Sequence, residues 1–180
     1  MSKVIDSIDS ELTDWIAEQR MFFVATAPAA ANGHVNVSPK GGDSFRVLGP
    51  REVVYQDYTG SGAETVAHLR ENGRVVVMFC AFQGPPRILR MHGRGSVIFN
   101  DDPKFNELVE QVPKNAGTRA FVHVMVDRIS TSCGYSVPLM EFQAPRNGLD
   151  KWAETKGPDG LRDYRKTKNV KSIDGLPAFD

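Results

Sequence analysis

The spacing of apolar positions changes several times along the chain, and each change predicts an element. Leu12, Trp15 and Ile16 fall at helical spacing behind candidate caps at Ser7 and Asp9, so a helix opens the chain. "MFFVATA" (21–27) is apolar and strand-like. After an Asn-Gly turn signal, "HVNVS" (34–38) alternates, with Val35 and Val37 on one side and His34, Asn36 and Ser38 on the other. The two runs predict a hairpin. "SFRVLG" and "EVVYQDY" predict two more strands joined by a turn at Gly49-Pro50-Arg51. "AETVAHLREN" (63–72) reads as a short helix closed by Gly73. "RVVVMFCAF" is nearly all apolar and predicts a buried central strand. "RILRMHGRGSVIF" is a strand whose Gly93 and Gly95 predict a bulge or a barrel corner. Asp102-Pro103 starts a helix with Phe105, Leu108, Val109 and Val112 on one face, and "AFVHVMVDRIS" alternates as a last strand.

Six or so strands in hairpin order, with few helices, predict a mainly β chain built as an antiparallel barrel with helices at its periphery. Past Phe142 the character changes. Residues 146–171 hold eight Lys or Arg and four Asp or Glu, an excess of four positive charges. This stretch reads as two short amphipathic helices over the barrel, followed by a tail. The chain therefore divides into an N-terminal helix (1–20), a barrel (21–142) and a basic helical extension (143–180).

Composition narrows the function. The 180 residues carry 22 Lys+Arg and 22 Asp+Glu, so the formal net charge is zero, which argues against a nucleic-acid binder. No apolar run nears the ~20 residues of a membrane-spanning helix. The opening residues lack the apolar core of a secretory signal, and Cys80 and Cys133 are too few for a disulfide scaffold, so a cytoplasmic protein is expected.

The most informative stretch is "YTGSGAET": Tyr58, Thr59, Gly60, Ser61, Gly62, Ala63, Glu64 and Thr65. A strand ends, a glycine-rich turn follows, and a helix begins, which is the arrangement that offers free amides and partial positive charge to a phosphate. Spacing alone leaves open a plain strand-to-helix turn capped by Ser61. A Rossmann βαβ unit fits less well, because Thr65 stands where a third glycine belongs and no acidic residue ends the next strand. "NVSPKGG" sets Lys40 beside the open backbone of Gly41 and Gly42, suited to an anion, although a lone loop lysine is usually just solvated. Arg90 and Arg94 share one strand face and suit a phosphate or carboxylate or, more commonly, surface ion pairs. The four histidines are scattered and neither cysteine has a ligand-spaced partner, so no metal site is expected.

Taken together, "FFVATA", "NGHVNVSPKG", "YQDYTGSGAETVAHLRENGRVVVMF" and "RILRMHGRGSV" resemble the pyridoxamine 5′-phosphate oxidase-like, FMN-binding split-barrel family over roughly residues 21–133. The resemblance implies a six-stranded split β-barrel of Greek-key order and a homodimer with cofactor sites at its interface. It implies FMN as cofactor, with deazaflavin or haem in related branches. On this resemblance Ser38, Pro39, Lys40 and Gly41 line the flavin, and the stretch from Tyr58 to Thr65 holds the phosphate. Lys40 or Arg90 is the cation that compensates a carboxylate near the phosphate, and Tyr135 and Trp152 reach the partner's flavin. The chain departs from the oxidases proper in having Glu64 and Thr65 where they carry an Arg-Lys pair, and Ile88 where they carry a glutamine. It also has no counterpart of their C-terminal Arg/His motif. The expectation is thus a flavin-dependent oxidoreductase acting on a small molecule. A non-catalytic flavin, deazaflavin or haem carrier is the alternative, and a vitamin B6 oxidase proper ranks last. No catalytic residue is assigned.

Overall fold

A computed structural model of the chain describes residues 3–179; residues 1, 2 and 180, the extreme ends of the predicted terminal segments, lie outside the described residues. Eight strands and four helices are found among the described residues. In chain order they are β1 (Lys3–Ile5), α1 (Ser10–Glu18), β2 (Met21–Thr26), β3 (Asn36–Gly41), β4 (Phe45–Gly49), β5 (Glu52–Tyr58), α2 (Glu64–Asn72), β6 (Arg74–Cys80), β7 (Ile88–Phe99), α3 (Pro103–Gln111), β8 (Thr118–Ser132) and α4 (Gly148–Lys168).

The strands form one antiparallel sheet in the order β3-β2-β6-β7-β8-β5-β4, with β1 added beside β8. The sheet curls until its two ends meet. Phe45 of the edge strand β4 packs on Phe22 of β2 and Phe79 of β6, each at 5.1 Å between ring centroids. Closure by aromatic packing, without a continuous hydrogen-bond ladder, makes this a split barrel. Its interior is filled by side chains from every part of the sheet, including Val24, Val53, Val77, Leu89, Val122 and Ile129.

The strand β8 is long because it serves two neighbours along one edge: residues 118–125 pair with β5, and Ile129–Thr131 pair with β1. The glycine signal in β7 proves to be a bulge, since the pairing with β8 shifts between His92 and Gly93. A Cβ on Gly93 would stand 2.2 Å from the Met125 carbonyl oxygen, so only glycine lets the two backbones approach there.

Asp9 caps α1, accepting from the Leu12 amide at 2.8 Å, and Leu12 and Ile16 seal one end of the barrel core. Asp102 caps α3 in the same way, and Phe105 and Leu108 pack on Phe121 from outside the barrel. Gly73 ends α2 at φ 70°, and its amide reaches back to the Leu69 carbonyl. The two predicted C-terminal helices are the halves of α4, broken where Gly157 takes φ 65° just before Pro158.

Several expectations are corrected. The sheet has eight strands rather than six. The N-terminal segment holds a strand, β1, as well as the helix, because its three residues find an edge on β8 that no local pattern announces. The first hairpin closes through a longer loop: β3 begins at Asn36, not His34. The apolar run of β6 is buried on alternate residues as far as Phe79 (Val75, Val77 and Phe79), with Val76 and Met78 on the other face half-buried and Cys80 buried at the strand end. The reverse holds for β8, where alternation predicted one wet face: α3 covers that face, and Phe121 and His123 are both buried. In line with the sequence, which disfavours a βαβ unit, the strands flanking α2 are not neighbours in the sheet and no such unit is found among the described residues.

Candidate functional site

A cleft of about 990 Å³ opens between β3, the end of β5, the start of α2, and the segment leading into α4. The hairpin register fixes one wall. Lys40 lies opposite Phe22, Ser38 opposite Val24 and Asn36 opposite Thr26, the three inward residues of β2. Strand alternation therefore turns Asn36, Ser38 and Lys40 inward, and Val37 outward, where it is 61% exposed. This inverts the usual polarity of a half-buried strand, which puts its apolar row against the core.

The floor of the cleft is a charged cluster. Asp57 is fully buried on β5 and accepts from Arg119 Nε at 2.7 Å and from Lys40 Nζ at 3.2 Å. Burial pushes the Asp57 carboxyl up, but the two cations outweigh it and hold the group below the ordinary carboxylate value. Arg119 also donates through Nη2 to the Gly62 carbonyl at 2.8 Å. Its remaining nitrogen, Nη1, is buried without a hydrogen-bond partner. Tyr58 borders the cleft, and burial, then the charges of Asp150 and Asp43, raise its phenol above the usual value.

The glycine-rich loop is held from three sides. The Thr59 amide donates to the Gly117 carbonyl at 2.7 Å. From α4, Arg165 reaches the Thr59 hydroxyl at 3.5 Å, and Asn169, just past the helix, donates to the Gly60 carbonyl at 2.8 Å. The chain then turns back so that Ala178 and Phe179 pack on Ala63, Val66 and Ala67 of α2. Phe179 lies over the Arg119 guanidinium, 4.7 Å from its carbon to the ring centroid. The expected cap at Ser61 is not formed. Ala63 occupies the cap position of α2, and the Glu64 carboxylate accepts its amide at 3.0 Å.

A polar chain runs inward from the cleft. Asn36 donates to Thr65 at 3.0 Å and to Thr26 at 3.3 Å, and Ser38 donates to Asn36 at 3.3 Å. Thr26 shares a 3.0 Å hydrogen bond with Nδ1 of His68, which is fully buried. Burial lowers the His68 pKa, more than neighbouring carboxylates raise it, so the ring is neutral near pH 7.

Comparison with known proteins places this geometry. The family model described as pyridoxamine 5′-phosphate oxidase matches residues 8–133. The chain belongs to the pyridoxamine 5′-phosphate oxidase family. A curated relative, the pyridoxamine 5′-phosphate oxidase family protein ustO of Aspergillus flavus, is 41% identical over 191 aligned positions, spanning 97% of this chain and 76% of the relative. Among solved structures, HupZ of Group A Streptococcus is similar at 22% identity, with a TM-score of 0.53 over 68% of this chain and 91% of that one. An FAD binding protein of Mycobacterium smegmatis is similar at 13% identity, with a TM-score of 0.50 over 72% of this chain and 96% of that one. At such identities the two structures show a shared fold.

Within this pyridoxamine 5′-phosphate oxidase family barrel, the structure brings most of the sequence candidates together. Ser38, Pro39, Lys40, Gly41, Tyr58, Gly60, Gly62, Glu64 and Thr65 line one cleft. Thr59 is sealed beneath the loop, and Ser61 stands exposed at its tip. Three candidates lie elsewhere on this chain. Arg90 projects from the outer face of β7 and donates to Ser132 at 3.1 Å. Tyr135 is 82% exposed. Trp152 packs edge-on against Tyr164 at 5.1 Å. Sequence reasoning missed Asp57 and Arg119. The available signal was a single formal charge in each of two mostly apolar strands, "VVYQDY" and "RAFVHV", since a charge drawn into a barrel wall needs a partner.

Proposed function

We propose that the chain binds FMN in this cleft and works as a flavin-dependent oxidoreductase on a small molecule. The observation that carries the reading is Arg119. Its buried Nη1 has no acceptor, and it sits beside Lys40 and the glycine-rich loop in a cleft of about 990 Å³, the upper end of the ~300–1,000 Å³ usual for ligand sites. Family membership and the likeness to an FAD binding protein support the same cofactor class.

The residues present suit a flavin mononucleotide. Lys40 and Arg119 offer cations to its phosphate, and Gly60 and Gly62 offer backbone that a ligand can approach closely. The strand from Ser38 to Gly41 offers polar backbone and the Ser38 hydroxyl along one wall. When bound, the flavin supplies the electron transfer. The chain's own groups position and polarise. Asp57 stays ionised and fixes Lys40 and Arg119 in place, so it is unsuited to taking up a proton near pH 7. Tyr58 stays protonated there and can donate a hydrogen bond.

We place the protein in the cytoplasm as a homodimer. Val37 on the outer row of β3, Val35 just before that strand, and Tyr135 and Leu139 after β8 are 61–82% exposed, an apolar surface that a second copy would cover. No described helix is long and apolar enough to cross a membrane. Sedimentation at micromolar concentration is expected to show a dimer, and a monomer would remove this part of the reading.

One observation favours the alternative of a non-catalytic carrier of flavin, deazaflavin or haem: the Glu64 carboxylate already occupies the amide of Ala63, the cap residue of α2. The visible spectrum of purified protein, desalted after FMN addition, tests binding. A flavin band that survives desalting is expected, and a colourless protein unchanged by FMN would remove the reading. Oxidation of a nicotinamide donor faster than free FMN achieves then separates the enzyme from the carrier.

A further inference from the structure

The amino end of α2 carries an anion of the chain's own. Glu64 Oε2 accepts the Ala63 amide at 3.0 Å, and Oε1 accepts the Ile173 amide from the C-terminal tail at 3.3 Å. The carboxylate lies against the loop, for a Cβ on Gly62 would be 2.9 Å from Oε2. A helix of nine residues has about half a positive charge at its start and holds one anion well there. A second anion at the same place meets the first at short range, where repulsion is only partly screened.

An independent observation marks the same spot as one that takes an anion. Arg119 is more than nine-tenths buried, lines the cleft, and donates to Gly62, two residues before Glu64. Its Nη1 is sealed from solvent with no acceptor. A buried guanidinium nitrogen left unpaired is unfavourable, and an incoming phosphate or carboxylate is the acceptor that relieves it. The loop therefore holds an unmatched donor for a ligand anion and a resident carboxylate that opposes one.

We propose that Glu64 is a charge gate on the cleft: its carboxylate occupies the start of α2, and a phosphorylated ligand gains that position only by displacing it. The inference rests on the flavin reading above and deepens it. The gate makes the cleft discriminate weakly between phosphorylated and unphosphorylated flavin, and it assigns that weakness to one side chain. Glu64→Gln keeps an oxygen that can accept the Ala63 amide while removing the charge.

The test is fluorescence titration of wild type and Glu64→Gln with FMN and with riboflavin. FMN is expected to bind the variant about tenfold more tightly, the scale of a partly buried charge at a helix terminus, with riboflavin unchanged. An FMN-to-riboflavin affinity ratio equal in the two proteins would overturn the gate and leave Glu64 as a helix cap. If neither flavin binds either protein, the flavin reading fails, and pyrophosphate then probes the gate by itself. A larger pyrophosphate-induced rise in Tm for Glu64→Gln than for wild type supports it, and equal rises overturn it. Glu64→Ser, which also removes the charge and brings a hydroxyl suited to a helix start, serves in the same assays should Glu64→Gln fold poorly.

Discussion

Arg119 and Asp57, 62 residues apart in the chain, meet through a 2.7 Å hydrogen bond with both side chains almost sealed from water. A charge pair of this kind contributes little net stability over an apolar pair of the same size, because both partners lose their hydration. Its effect is positional. Asp57 pairs with Lys40 as well as Arg119, so β3 and β8 are tied to β5 at the floor of the site.

Removing one partner is costly, since it strands the other. Asp57→Asn is expected to lower stability by about 3 to 5 kcal/mol, read from denaturant unfolding. The loss depends on pH. The ionised Asp57 stabilises the fold because its folded pKa lies below the unfolded value of about 3.9. That contribution is complete above this value and disappears as pH falls through the lower, folded one. The gap between wild type and Asp57→Asn should therefore narrow below about pH 4. A gap that stays constant down to pH 2 would show that Asp57 acts by shape and not by charge.

Lys40→Ala removes the more exposed cation of the cluster, its side chain 19% accessible, and leaves Asp57 paired with Arg119 alone. FMN affinity is expected to fall about tenfold, the scale of a charge-assisted hydrogen bond. Unchanged affinity in a titration would take Lys40 out of the site.

Gly93→Ala probes the bulge. The added Cβ would meet the Met125 carbonyl at 2.2 Å, and neither backbone can give way without breaking the β7–β8 ladder. A loss of about 3 kcal/mol is expected. Gly95→Ala should cost less, because its Cβ would meet the end of the Leu69 side chain, which can rotate. Equal effects at the two positions, measured by chemical unfolding, would contradict this reading of the bulge.

Phe179 packs against α2 and Phe99 and covers the Arg119 guanidinium. Phe179→Ala is expected to cost about 3 kcal/mol and to loosen the glycine-rich loop with it. Faster amide hydrogen exchange at Gly60–Glu64 is the readout. A variant that is destabilised while exchange at the loop stays slow would mean that the tail does not brace the site.

Periodicity and turn chemistry decided a large part of this fold before any tertiary contact was considered. The caps at Asp9 and Asp102, the closure of α2 at Gly73, the bulge at Gly93 and the break in the C-terminal helix each follow from a few adjacent residues, because backbone preference is a local property. The motif order from "NVSPKGG" to "YTGSGAET" also sufficed to name the family and to mark the β3 and glycine-loop walls of the cleft.

Only the tertiary structure decided what those residues face. The curl of the sheet brings Asp57 to Arg119, and the returning tail brings Asn169 and Phe179 to the loop and the guanidinium, more than 100 residues from the loop in the case of Asn169. The strand β1, the polar inward row of β3, and the hold of Glu64 on the Ile173 amide of the tail arise in the same way. The physical reason is that each depends on partners distant in the chain. A sequence states which groups need a partner, and the packed barrel determines which one they find.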